Sequence, residues 1–420
     1  INFDATSLIV FKYYFIEKDL ISTNYILKMI NKKIFDYLFG ITIAIIIFNF
    51  YNFTKEMSIG QYSDWLINYQ GGFVRRGLIG EFLYQIHSIL SIRLDILIFL
   101  TVSLLYIFFY KNFLTIIKTL KYHFLNLLIV FSPLSFFWPV MEEKASGRKG
   151  VLYLFLLTVT ALQIKKINFY KQKYLIIFFS AIVVFSHTGF LFLLPFFLLV
   201  LVFSNKNKKF KIVLKEMLII ISSWLLFLII LINNTIVEQE QIELICNSVA
   251  KFVRKDCTTI GYISTLSWSL ELNLELKKSL WMREYYNLFF SIAFLVSFLP
   301  LLIILYNSKF VNYKTINVVF FYVLFLLSTF PLYYLGVDYG RYLHLTYMSS
   351  IIVYAIALRN KVIIFLPKKK SIITNINFKP KMLVIIIFLY GFTFTVPHCC
   401  NNNFKFNYKN LVSKINEKLN

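Results

Sequence analysis

The sequence is short of acid: Asp and Glu number 20 among 420 residues, against 44 Lys and Arg, and charged residues make up only 15% of the chain. Ordinary globular chains carry about 25% charged residues and are about 45–50% apolar. This one is 59% hydrophobic, with a mean hydropathy of +0.70. The signatures of several chemistries are also missing, since there is no Walker loop, no His/Cys metal spacing, no GxSxG elbow and no dinucleotide fingerprint. ATP-driven pumping, zinc hydrolysis and redox chemistry therefore have no support, and neither a metal nor a cofactor is expected.

What the sequence has is apolar length. The 47 Phe and 28 Tyr are spread through long Ile/Leu runs rather than gathered in one core, and no soluble domain could hide that much apolar surface. A net charge of +24 would suit nucleic acid, but the lysines sit in short clusters between apolar runs, the footprint of the positive-inside rule. With no soluble basic domain to carry it, nucleic-acid binding is not expected. The fold class that follows is all-α, a single polytopic membrane domain over 1–420 with the lipid bilayer as its partner.

Tracing runs and basic clusters predicts about eleven transmembrane helices with the N-terminus inside, at 34–53, 96–110, 124–140, 151–164, a hairpin within 174–203, 217–232, 288–306, 316–335, 342–358 and 383–396. The run 174–203 is too long for one span and short for two. Lysines flank it on both sides, so both ends face the cytoplasm and the chain must turn at His187-Thr188-Gly189. Half-length helices would leave His187 below the outer surface. The outer segments are a first loop at 54–95, a large loop at 233–287, and several short loops. A tail past Asn401 carrying Lys405, Lys409, Lys414 and Lys418 strains the rule and leaves an even count open.

The chain opens with Ile1, which suggests an upstream extension or a start at Met29; the apolar run 8–15 is too short to span, and nothing before Lys32 resembles a cleavable signal. Cys246 and Cys257 share the large outer loop, where an oxidising compartment would let them form a disulfide. Cys399 and Cys400 are neighbours, and neighbours rarely bridge without strain.

The conspicuous polar residues all fall on the outer side. In the first loop Arg75 and Arg76 stand among Gly71, Gly72, Gly77 and Gly80, and four of the chain's 13 glycines within ten residues is poor chance clustering. Glycines let backbone amides approach an anion, and guanidinium forks grip phosphate oxygens in pairs, which suits a diphosphate headgroup. Arg148, Lys149 and Arg341 repeat the theme where chains re-enter the membrane, and a helix N-terminus there adds its own amides. Asp338 precedes Arg341 by three residues, so the two also read as a structural pair. Candidate bases are Asp64, Glu142 and His187, with Glu81, Glu143 and Asp338 also available. A lone intramembrane His is either a base or a buried hydrogen-bonder.

At Asn68 through Glu81, at Gly147 through Lys149, at His187 with Pro195, and at Asp338 through Arg341, the chain resembles the polytopic proteins of bacterial surface-polysaccharide gene clusters, the Wzy-type O-antigen or capsule polymerases. The resemblance implies an inner-membrane enzyme that joins polyprenyl-diphosphate-linked oligosaccharide repeats on the periplasmic face, with a chain-length regulator as companion. It further implies that Arg75, Arg76, Arg148, Lys149 and Arg341, with Asp338, bind the donor, while Asp64, Glu142 or His187 acts on the acceptor hydroxyl. The chain departs from the family pattern in holding only Arg254 and Arg283 in its large loop. Two alternatives stand beside this reading. One is a membrane glycosyltransferase of the GT-C class using a polyprenyl-phosphate sugar, with Asp64 as the acid of the first outer loop. The other is a flippase, for which only the His187 hairpin offers a midplane site.

Overall fold

A computed structural model describes residues 32–58, 60–120, 124–234, 237–254, 256–283, 286–311, 317–365, 380–392, 394–400 and 405–406. The expectations about 8–15, Met29 and the tail lysines beyond 406 lie outside the described residues.

The chain is helical nearly throughout: α1 (Lys32–Lys55), α2 (Leu78–Leu90), α3 (Leu94–Ile117), α4 (Phe124–Val130), α5 (Trp138–Met141), α6 (Gly150–Gln163), α7 (Phe169–Ser186), α8 (Pro195–Ser204) and α9 (Phe210–Ile232). After them come α10 (Gln239–Ser248), α11 (Leu270–Trp281), α12 (Tyr286–Tyr306), α13 (Val318–Leu327), α14 (Phe330–Leu335), α15 (Tyr339–Arg359) and α16 (Pro380–Phe392). Short strands β1 (Ser308–Phe310) and β2 (Ile363–Phe365) pair antiparallel, as do β3 (Phe394–Thr395) and β4 (Lys405–Phe406).

Among the described residues, six helical segments are long and apolar enough to cross a membrane: Asp36–Lys55, Leu94–Ile117, Phe169–Ser186, Lys211–Ile232, Tyr286–Tyr306 and Val318–Leu335. Their outward faces expose large apolar side chains such as Phe48, Leu104, Phe178, Leu226, Leu295 and Leu324, a surface stable only against hydrocarbon. The chain is a multi-pass helical membrane protein. Of the eleven expected spans, six correspond to described helices of this length and apolarity, and the others fall on shorter or more polar segments.

The reason is visible in the centre. Helix α15 is buried from Tyr339 through Ala357, so it meets protein and not lipid and can carry Arg341, His344, Thr346, Ser349 and Ser350. Its hydroxyls are satisfied locally, Ser349 Oγ donating to Leu345 O (2.7 Å) and Ser350 Oγ to Thr346 O (2.8 Å). The run 124–140, expected as one helix, unwinds between α4 and α5. Freed carbonyls in hydrocarbon cost several kcal/mol each unless re-paired. Here Tyr347 OH donates to Ile129 O (2.9 Å), His344 Nδ1 meets Leu134 O (2.8 Å) and Tyr110 OH donates to Phe136 O (2.5 Å).

The helix ends fall into two groups that follow the alternating path read from the lysine clusters. At the lysine-rich end, Lys118 meets Asp36 (3.0 Å), Lys173 meets Glu216 (2.8 Å), Lys165 donates to Asn360 (2.5 Å) and Asn360 to Phe203 O (3.0 Å). Asn205, just past α8, donates to Gln172 near the start of α7 (2.7 Å), so the segment broken at His187 does turn back as a hairpin. The polar segments gather at the opposite end.

Two disulfides are present. Cys246–Cys257 joins α10 to the following loop, and Cys399–Cys400 is a bond between neighbours, contrary to expectation; it is accompanied by a left-handed backbone at Cys400 (φ 61°).

Candidate functional site: a buried cation cluster

The first loop supplies the floor of the site. Residues Ser63–Leu66 form a buried 3-10 turn, held because Trp65 Nε1 donates to Gly147 O (2.6 Å) and Gln61 Nε2 to Lys144 O (2.9 Å). Gly147 is required on both counts of geometry: its φ is +74°, and an added Cβ would stand 2.0 Å from the Phe50 ring. The turn puts Asp64 under Lys149 at the start of α6. The Lys149 ammonium lies 3.6 Å from Asp64 Oδ1 and donates to Arg76 O (2.9 Å), with neither Lys149 nor Asp64 reached by solvent.

Helix α15 and the α7–α8 turn supply the other wall. Arg341 Nη2 meets Asp338 Oδ2 at 2.8 Å and His187 Nε2 at 3.2 Å. A guanidinium can only donate, so His187 Nε2 accepts and the ring is neutral, with its proton on Nδ1. Arg148 lies over the ring of Tyr262, 4.7 Å from its centroid, which brings the large loop onto the cluster. The charge of Arg76 acts on Lys149, His187 and Asp338, placing it in the same group.

Electrostatics follow from this packing. Burial pulls the Lys149 ammonium down to about 8, Asp64 holding it up in part and Arg76 pressing it further down. Burial opposes ionisation of Asp338, yet Arg341 and Arg148 hold it below the usual carboxylate range. Four cations (Arg76, Arg148, Lys149, Arg341) less two carboxylates (Asp64, Asp338) leave the cluster with two positive charges. Several of its polar atoms are buried without a hydrogen-bond partner: Arg76 Nε, Arg148 Nη1, Arg341 Nε and Nη1, His187 Nδ1 and both oxygens of Asp64. Buried donors are nearly always paired, so unpaired guanidinium N–H groups within one cluster mark a candidate place for an anion.

Arg75, whose Nε is also buried without a partner, has its other contact outside the cluster. Its Nη2 donates to Thr265 O (3.1 Å), fastening the first loop to the large one, and burial, with Arg76 beside it, lowers it to about 10. The other first-loop glycines serve packing too, since a Cβ on Gly71 would strike the backbone of Gln241. Glu81 is spent on the Tyr69 amide (2.8 Å) and on Gln70, and Glu143 is exposed. The amides at the start of α15 are also spent: Gly340 N–H (3.1 Å) and Arg341 N–H (3.4 Å) donate to His398 O, so no open helix terminus faces an anion there. Glu142 lies at the edge of the cluster, its Oε1 3.2 Å from His398 Nδ1.

Sequence reasoning missed Tyr262, which no local pattern distinguishes in the large loop, and His398, which was visible only as the end of the last apolar run. Comparison with protein-family models, with curated proteins and with solved structures finds no match for the chain.

Proposed function

We propose that the chain is a membrane glycosyltransferase that joins polyprenyl-diphosphate-linked oligosaccharide repeat units into a surface polysaccharide, O-antigen or capsule, on the periplasmic face of the bacterial inner membrane. The observation that carries this reading is the charge of the cluster. Two uncompensated positive charges, with unpaired guanidinium donors, match a sugar–diphosphate–lipid, which carries about two negative charges as a diester. Position supports the reading as well, since His187 directly follows Phe169–Ser186 and Asp338 lies three residues past Val318–Leu335, both long and apolar enough to cross a membrane.

In this reading Arg76, Arg148, Lys149 and Arg341 hold the diphosphate. As the donor's anomeric C–O bond breaks, charge grows on the leaving diphosphate, and fixed cations in a desolvated pocket stabilise it without reorganising. Asp338 and His187 hold the Arg341 fork from two sides, and Asp64 keeps Lys149 charged. The acceptor hydroxyl gives its proton to a base at the pocket edge.

A second reading, transfer from a polyprenyl-phosphate sugar, is favoured by Asp64, a first-loop carboxylate with both oxygens free of hydrogen bonds. The two separate in a gene-deletion strain complemented with variants. Polymerisation predicts that Arg148→Ala and Arg341→Ala leave single repeat units on the surface lipid while the protein inserts normally. Wild-type polymer length and yield in both variants would refute the assignment.

A further inference from the structure

The proton acceptor is not among the residues that the motifs single out. Asp64 is fully buried and its one close charge is Lys149. His187 has Nε2 committed to Arg341 and Nδ1 buried, and Asp338 is bound to Arg341. A base for an incoming hydroxyl needs a solvent-reached lone pair outside the grip of the cations, which none of the three offers: the unpaired Asp64 oxygens are fully buried beside Lys149, and His187 and Asp338 both hold Arg341.

His398 does. Its backbone is fixed: the carbonyl caps the first amides of α15, the preceding Val396 O accepts from Trp138 Nε1 (2.8 Å), and Arg283 Nη1 donates to Cys400 O (2.6 Å). The close approach depends on Gly340, where a Cβ would lie 1.9 Å from Pro397 O. The ring is fixed as well, by Nδ1 at 3.2 Å from Oε1 of the buried Glu142. The Glu142 carboxylate accepts a hydrogen bond from Nδ1–H, which leaves the lone pair on Nε2, and the His398 side chain is 15% exposed. An atom of Asp338, the carboxylate that grips Arg341, lies within 4.8 Å of a ring nitrogen of His398, so the imidazole borders the cation cluster.

We propose that His398 is the base that deprotonates the acceptor sugar and that Glu142 is its positioning residue; this rests on the glycosyl-transfer reading above. The acceptor O–H proton passes to His398 Nε2 and the oxygen forms a bond to the donor's anomeric carbon. The carbon–oxygen bond to the diphosphate breaks, its electron pair leaving with the polyprenyl diphosphate. The imidazolium then returns its proton to solvent or to the departing phosphate. The charged groups next to the imidazole are Glu142 on the α5 side and Asp338, the partner of Arg341, at the start of α15, while Arg283 binds the backbone two residues on, at Cys400 O.

Full-length protein in nanodiscs, labelled with 15N-histidine, tests the geometry, and turnover of a diphosphate-linked repeat unit tests the chemistry. The Nδ1–H tautomer is expected at His398, identified by its loss in His398→Gln, and it should disappear in Glu142→Leu, which removes the acceptor. His398→Gln should lower kcat by ~10²–10⁴-fold with KM for the donor nearly unchanged. Glu142→Leu should lower kcat less than His398→Gln does, with KM for the donor again nearly unchanged. A kcat for His398→Gln within about twofold of wild type, or an Nε2–H tautomer, overturns the proposal. A wild-type chain that shows the Nδ1–H tautomer yet transfers nothing from the diphosphate donor refutes the base assignment together with the glycosyl-transfer reading. Transfer that survives in His398→Gln refutes the base alone.

Discussion

Lys149 and Asp64 stand 3.6 Å apart with no solvent on either side chain, although they are 85 positions apart in the chain, with the long apolar helix α3 between them. The pair is off-centre, and the ammonium spends its shorter contact on Arg76 O. A buried lysine so placed holds its charge only through Asp64, and that gives it a pH window.

Burial brings Lys149 to about 8, so it should lose its proton above that pH and the cluster one of its two net charges. Affinity for an anionic lipid is expected to fall by up to about tenfold per pH unit above 8. The sign for stability is opposite: a lysine whose folded value is depressed holds its proton less well folded than unfolded, so this group's contribution to stability rises between about 8 and its ordinary value. Binding titrations and thermal melts at pH 7 and 9.5 should move in opposite directions, and Lys149→Met should abolish both trends.

Adjacent arginines should behave differently. Arg76→Ala is expected to weaken donor binding by about tenfold to a hundredfold, the loss of a charge-assisted donor in a desolvated site. Arg75→Ala should leave donor affinity within about threefold, because its partner is Thr265 O. Its signature is instead faster proteolysis in the large loop, at Lys251 and Arg254. Equal losses of affinity would mean that both side chains reach the ligand.

Glycine substitutions separate support from chemistry. Gly147→Ala must fit a methyl into the Phe50 ring at a positive φ, so a loss of about 3 kcal/mol or more is expected, read as a lower melting temperature and poor recovery from the membrane. Gly80→Ala, where the Cβ would meet Ile67 O at 1.9 Å, should match it. Gly40→Ala, with open space around its Cβ, should be neutral or stabilising.

The Cys246–Cys257 bond closes a short loop, worth about 2–3 kcal/mol of chain entropy. Cys257→Ser should loosen the segment that carries Tyr262 to Arg148. Expected are a higher KM for the donor with kcat little changed, and faster hydrogen exchange at 249–268. A kcat effect with unchanged KM would place the loop's role in chemistry.

Much of the architecture could be read from the residues. Lysines on both flanks of 174–203 forced a turn at His187, and the apolar runs located α1 and α12 to within two residues but stopped seven residues short at one end of α3 and of α9. The break between α4 and α5 could not be read, because an apolar run has the same composition wound or unwound. Its carbonyls are rescued by Tyr110, His344 and Tyr347, of which the last two lie more than 200 residues away. The site was legible where charge conflicts with position, as at Arg148, Lys149 and Arg341. Arg75 and Arg76 share every sequence feature, and only packing divides them. His398 acquires meaning only beside Glu142, 256 residues earlier.

The most direct test of the central claim compares headgroups. Purified chain in nanodiscs is titrated with a short-chain polyprenyl diphosphate and with the matching monophosphate at pH 7, read by native mass spectrometry. Two uncompensated charges predict a preference for the diphosphate of at least about tenfold, lost when Arg76 and Arg148 are both replaced by alanine. Equal affinity for the two lipids, or a preference that survives the double substitution, would contradict the account.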